Sequence, residues 1–408
     1  MISKTVMVIC DGLGDRPIME LGGLTPLEAA DTPNLDRLAA ESECGLMFTL
    51  GRGLVPGSDV AHLAIMGYGR EKYYFGRGPI EVAGLGLKLR HGDVALRGNL
   101  GTVDESMKIV DRRAGRIRNV EPFTKLLDGL EIGGVTFIVK PGTAHRAGVI
   151  MRGDGLSDAI TDADPHKPDL PVKPVKPTND TGEAIRTADI LNRFLAQAYT
   201  ILKDHPENRR RVESGQPAAN YLLVRGAGKY SEVPDFISRY GLKACCIAGG
   251  GLYKGVGAYL GMDILELPEA TGLPDTNIEK KFRTALDCLS KYDFVFVHVK
   301  AADSLGEDGN FTGKRDFINK IDKAARLLAG LPEDVLLIVT ADHSTPCSQK
   351  SHSADPVPII FHGGDVRVDD VKAYNERACA KGGLGIIEGK DVMPYVMNLM
   401  NRLPLIGA

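Results

Sequence analysis

The chain has 408 residues, 43% hydrophobic and 25% charged, a globular mixture of about two domains' length that excludes disordered, collagen-like and coiled-coil chains. Lys and Arg number 50 against 53 Asp and Glu, a formal charge of -3, so the overall balance favours neither nucleic acid nor an anionic membrane as a partner. Any anion recognition must be local. Seven cysteines, an odd number without a C-x-x-C pair, argue against a disulfide framework or a zinc knuckle and for a reducing, cytoplasmic compartment.

The first apolar run, 2–10, carries Lys4 and meets Asp11 at once, so it reads as a buried strand rather than a signal peptide or a membrane span. Further continuous apolar runs follow at 221–224, 244–248, 294–299, 335–340 and 357–361. Between these runs, 34–41, 183–198, 278–290 and 316–328 place apolar residues at three- and four-residue steps, the spacing of helices, with Thr32-Pro33 and Thr181-Gly182-Glu183 as starts. Strands covered on both faces by helices predict an α/β layered domain with a mainly parallel sheet. From 75 to 178 the texture changes to short runs at 82–89, 108–111, 135–139 and 148–151, which predicts a smaller inserted α+β domain. The expected division is 1–74 with 179–408 for the first domain and 75–178 for the insert. Pro165, Pro168, Pro171, Pro174 and Pro177, at a three-residue step, predict a stiff polyproline connector suited to a hinged lid. The insert holds 16 basic and 13 acidic residues, +3 against -6 for the remainder, as expected of a basic cap and an acidic, metal-carrying base that share an anionic ligand.

Asp11 ends the first strand, Asp303 follows the 294–299 run, Asp342-His343 follows the 335–340 run, and His352 precedes the last strand. Open α/β sheets place ligands at the carboxyl ends of strands, and divalent ions take carboxylate oxygen and imidazole nitrogen converging from separate ends. Each residue alone reads equally well as a cap or a turn; their agreement points to metal, and the set can hold two ions. In Pro56-Gly57-Ser58-Asp59-Val60-Ala61-His62 a glycine-loosened turn enters a helix over 59–66, so Ser58 is a candidate nucleophile at a phosphate-binding helix start, or simply its N-cap. Gly249-Gly250-Gly251 with Lys254 fits either a phosphate approach or a plain turn, and it lacks Walker spacing. In the insert, Asp111-Arg112-Arg113-Ala114-Gly115-Arg116, His145-Arg146 and Arg152 bring guanidinium groups to turns, where they suit carboxylate and phosphate or are surface charges. His62 and His298 read as core residues.

Asp11-Gly12-Leu13-Gly14-Asp15-Arg16-Pro17, Thr25-Pro26-Leu27-Glu28-Ala29-Ala30, Thr32-Pro33-Asn34 and Pro56-Gly57-Ser58 resemble the archaeal-type branch of the cofactor-independent phosphoglycerate mutases. The same holds for Gly76-Arg77-Gly78-Pro79, the 111–116 stretch, and Thr340-Ala341-Asp342-His343-Ser344-Thr345-Pro346 through to Pro358, so the resemblance spans nearly the whole chain. The Asp-His pair alone points only to the wider alkaline phosphatase superfamily. The resemblance implies an alkaline-phosphatase-like domain split by an insert, two divalent ions (Mn, Mg, Zn or Co) and no 2,3-bisphosphoglycerate. Carried over, Asp11, Ser58, Asp342 and His343 hold one ion, and Asp303 and His352 the other. Ser58 is then the nucleophile, Lys254 assists catalysis, and Lys254, Arg77, Arg113, Arg116, His145, Arg146 and Arg152 hold phosphoglycerate.

One position departs from the family. The D-x-x-G-H-D pattern reads Asp303-Ser304-Leu305-Gly306-Glu307-Asp308 here, which puts Glu307 where the second ion's third ligand is a His. Four carboxylates would then cancel four metal charges, so weaker catalysis or a shift toward Mg or Mn is expected. The implied reaction moves a phosphoryl group between the 3- and 2-hydroxyls of glycerate through a phosphoserine, as in glycolysis and gluconeogenesis, with a small-molecule substrate and no nucleic acid or membrane partner. The alternatives are a metal-dependent phosphatase, a mutase of another phosphometabolite, or a weakened phosphometabolite binder. Self-association stays open.

Overall fold

The computed structural model describes residues 1–407 and divides into two compact units, Met1–Tyr74 with the chain from Pro234 onward, and Phe75–Val233. The first unit is built on an eight-stranded sheet in the order Asp263–Ile264, Ala244–Ile247, Phe294–Val299, Lys4–Cys10, Val335–Thr340, Val357–His362, Ser42–Phe48, Gly385–Glu388. Lys4–Cys10 lies at its centre, parallel to Phe294–Val299 and Val335–Thr340, and the registers Cys10↔Val299 and Ile9↔Thr340 bring three carboxyl ends level. Buried on both faces, these strands need continuous apolar sequence, which is why the runs were legible. Val357–His362 runs antiparallel to both neighbours, so the sheet is mainly parallel, as expected. Helices Pro33–Ala40, Ile278–Cys288 and Phe311–Ala325 lie in this unit; the last starts before the expected 316 because the Asn310 side chain caps it, accepting from Gly313 N at 2.9 Å. No helix among the described residues is long and apolar enough to cross a membrane, and the seven cysteines are free thiols.

The second unit is an antiparallel sheet in the order Ile109–Asp111, Val94–Val103, Arg146–Arg152, Val135–Pro141, Leu130–Ile132, with Tyr221–Lys229 also paired to Val94–Val103. The helix Gly182–Lys203, capped by Thr181, belongs to this unit, and its Phe194 ring stacks on Phe137 at 3.8 Å in the core.

Three expectations are corrected. The second compact unit runs 75–233, against an insert read as 75–178, because the run 221–224 pairs with the strand Val94–Val103; an apolar run does not say which sheet it joins. The stretch 82–89 is not a strand: Arg77–Ala83 is a helix, with Pro79 in its first turn where a missing N–H costs nothing, followed by turns at Gly84 and Gly86. The proline run is not a free connector. Positive φ at His166 (65°) and Asp169 (62°) breaks it, and backbone bonds from Asp169 N to Ile109 O (2.9 Å) and from Lys173 N to Ala163 O (3.1 Å) fasten it into the second unit.

Candidate active site

Side chains of the first unit converge at the three level strand ends. Asp11 follows Cys10; Gly12, at φ 62°, donates its N–H to Asp342 Oδ1 at 3.1 Å, and a Cβ there would stand 2.6 Å from Asp303 Cα, so only glycine lets the loops meet. Asp11, Asp342 and His343 form one group of ligand atoms within 4.8 Å of one another, and Asp303, His343 and His352 form a second, with His343 shared. His343 Nε2 lies 3.4 Å from Asp11 Oδ1 and 3.2 Å from Asp342 Oδ2. Ser58, the first residue of the helix Ser58–Ile65, brings its hydroxyl 3.2 Å from the same nitrogen. Gly57, not Ser58, is the cap residue, so the hydroxyl is not spent on the helix. Across the site, His352 Nε2 is 3.4 Å from Asp303 Oδ1, while its Nδ1 donates to Pro56 O at 2.8 Å, which fixes Nε2 as the free nitrogen.

Burial opposes ionisation of Asp11, but the Lys300 ammonium, His298 and His343 outweigh it and hold the carboxyl well below its usual range. His343 behaves oppositely: burial pulls it down, yet Asp342, Asp11 and Asp303 push it up to about 9. Burial holds His298 down at about 4. Asp11 Oδ1 and Asp342 Oδ2 are buried with no hydrogen-bond partner. Two such oxygens beside a nitrogen and a hydroxyl fit a divalent cation, since unpaired buried carboxylate oxygens are costly otherwise.

Over residues 3–399 the chain matches the metalloenzyme superfamily. It is 46% identical to the 2,3-bisphosphoglycerate-independent phosphoglycerate mutase 1 of Methanocaldococcus jannaschii across 99% of both chains. The chain belongs to this mutase family. Among solved structures it superposes on the cofactor-independent phosphoglycerate mutase of Thermoplasma acidophilum with a TM-score of 0.74 at 37% identity, covering 98% of this chain and 100% of that one. A Pyrococcus horikoshii protein gives 0.84 at 36% identity with full coverage of both. The fold is thus that of the cofactor-independent phosphoglycerate mutases, and membership brings with it isomerase chemistry dependent on divalent metal.

Not every residue expected from the mutase family lies at the centre. Glu307, the last residue of the helix Ala301–Glu307, is exposed and belongs to neither ligand group; burial and the nearby Asp303 charge raise its pKa, so it senses the site without entering it. Lys254 points to Glu266, 2.5 Å away. The cation at the centre is instead Lys300, which donates to Asp303 Oδ2 at 2.8 Å and to Asp11 Oδ2 at 3.4 Å, beside the Tyr253 hydroxyl that also donates to Asp11. Lys300 was missed; its signal is the helical i, i+3 step to Asp303. His62 and His298 are core residues, as read, but they back the ligands. His62 Nδ1 donates to Ser58 O at 2.6 Å, and His298 Nε2 faces Asp11 Oδ2 at 3.4 Å.

In the second unit His145 is held down at about 4 by burial and by Arg146, Arg113 and Arg97 around it, and Arg97 at about 10 by burial and by Arg225, Arg146 and Arg77, with Glu81 opposing. Arg77, Arg113, His145 and Arg146 thus share one cationic basin with Arg97 and Arg225, which stand opposite each other across paired strands. Those two were missed because each is a lone Arg in an apolar strand. Arg152 is committed elsewhere, bidentate to buried Asp93 at 2.7 and 2.9 Å, and Arg116 sits on the 115–119 loop with Arg118, beside Arg211 of the helix Pro206–Glu213.

Proposed function

We propose that the chain interconverts 3-phosphoglycerate and 2-phosphoglycerate through a phosphoserine at Ser58, with no bisphosphoglycerate primer. The observation that carries this reading is the Ser58 hydroxyl lying 3.2 Å from Nε2 of His343, the residue that both ligand groups share. Asp11, Ser58, Asp342 and His343 would hold one divalent ion, and Asp303, His343 and His352 form a second, poorer seat. Mixed oxygen and imidazole donors suit Mn or Mg. Bound there, divalent ions lower the pKa of the hydroxyl and offset charge on the phosphoryl oxygens.

Ser58 is held for in-line attack by its helix and by the His62 bond to its carbonyl, and the first-turn amides favour an incoming phosphate. Ser58 Oγ displaces the glycerate oxygen from phosphorus, and glycerate, still bound, turns and takes the group back through its other hydroxyl. Cations of the second unit, Arg77, Arg97, Arg113, Arg146 and Arg225 with neutral His145, are assigned glycerate's carboxylate and the phosphate oxygens. Water must be kept from the phosphoserine, since its attack would make the protein a phosphatase.

An enolase-coupled assay run beside a phosphate-release assay tests the reading. Turnover of 3-phosphoglycerate without primer, abolished by chelator and restored by Mn, with little phosphate released, is expected. Stoichiometric phosphate release would establish the phosphatase alternative instead; the names borne by the relatives do not favour it, nor the mutase of another metabolite or the weakened binder.

A further inference from the structure

The two ligand groups differ in what they lack. In the first, Asp11 Oδ1 and Asp342 Oδ2 are buried and make no hydrogen bond, facing only the His343 imidazole at 3.4 and 3.2 Å and, for Asp342, His62 at 3.6 Å. In the second, both oxygens of Asp303 are taken: Oδ1 accepts from the Thr345 hydroxyl at 2.8 Å and faces His352, and Oδ2 accepts from Lys300 at 2.8 Å. Glu307, the residue placed by sequence to complete this group, is exposed outside it. Lys300 reaches one carboxylate of each group, Asp303 and Asp11, from a largely buried side chain.

We propose that Lys300 is the resident cation of the Asp303 seat, so that the protein carries one tightly held divalent ion, on Asp11, Ser58, Asp342 and His343, with a tethered ammonium beside it. A second ion must displace that ammonium from Asp303 and surrender most of its water for one carboxylate and two imidazoles, one of them shared. Hard divalent ions prefer about six mostly oxygen donors, so this exchange is unfavourable. At the first seat Asp11 Oδ1 and Asp342 Oδ2 are faced by the imidazole of His343, itself a ligand, rather than by a lysine or arginine, and an ion gains both oxygens. Lys300 also restores the positive charge that Glu307 removes from the family pattern. The proposal rests on the metal-centre reading but not on the mutase reaction, so it can fail while isomerisation stands.

Mn titration of the full chain, followed by calorimetry and by the paramagnetic resonance of free Mn, tests it. The native protein should take up one tight equivalent, with any second at least about tenfold weaker; outer-sphere partners of metal ligands commonly shift affinity by about 10–100-fold. Lys300→Met should strengthen the second equivalent about tenfold or more, Lys300→Arg should not, and Glu307→His should strengthen it by supplying the missing imidazole. Two equally tight ions in the native protein would overturn the proposal whether or not the variants fold. A second equivalent unmoved by Lys300→Met would also overturn it.

Discussion

The ligand layer of the first unit and the cationic basin of the second are both built from charges that burial disfavours, and they solve the problem differently. At the strand ends, carboxylates and imidazoles come from four separate stretches of chain and are held apart from water by loops that lock one another, leaving two oxygens for a metal. In the second unit, guanidinium groups face each other across ladder positions, such as Arg97 opposite Arg225, and repel; Glu81, Asp164 and Asp162 offset them in part. The first arrangement is complete except for a cation, the second except for an anion. Buried charge of one sign with too little of the other is how a chain marks a ligand's place.

The sharpest way to break this contrast is at Ser58. Ser58→Ala should lower turnover by about a thousandfold or more, as removal of a nucleophile does, while melting temperature changes little. Next in size is the tie between the ligand loops: the buried Lys314 ammonium donates to Gly14 O (2.9 Å), Asp15 Oδ2 (2.9 Å) and Thr345 O (3.0 Å). Lys314→Met leaves Asp15 buried and unpaired and should cost about 3–5 kcal/mol in denaturant unfolding.

Acidity gives a third test. His343 is pushed up to about 9, and an ion needs its nitrogen free, so Mn affinity should rise about tenfold per pH unit until about 9 and then level, as calorimetry at several pH values would show. Because this pKa is raised above the free value of 6.5, the proton's contribution to metal-free stability is complete below 6.5 and is lost as pH climbs through about 9. In the basin, Arg97→Met should raise the KM for phosphoglycerate about 10–100-fold, since one charge-assisted bond is lost, and leave Mn binding unchanged. Smallest in activity is Arg152→Met: its partner Asp93 is buried, so stability should fall by about 1–3 kcal/mol with KM nearly constant, which separates scaffold from basin.

Much of the first unit was legible because continuous apolar runs ended in Asp11, Asp303 and Asp342-His343, and burial on both faces writes itself into sequence. The insert's start was legible at the change of texture near 75, whereas its end was not, because Tyr221–Lys229 looks the same whichever sheet it joins. A rhythm of prolines suggested a stiff strut; backbone hydrogen bonds to Ile109 and Ala163, invisible in sequence, made it a fastened loop. Glu307 and Lys300 lie at opposite ends of one short helix, Lys300 as its cap residue, and only the direction of each side chain decides which one meets Asp303. Motif position named the first; geometry chose the second.

The account turns on Ser58 carrying the phosphoryl group between two oxygens of one glycerate. Rapid-quench mass spectrometry of the Mn-loaded protein mixed with 3-phosphoglycerate measures this directly. A phosphoryl group appearing on the peptide that contains Ser58 within a turnover, and passing to 2-phosphoglycerate rather than to phosphate, is the expected result. Isomerisation at the native rate with no modified Ser58, or in Ser58→Ala, would contradict it.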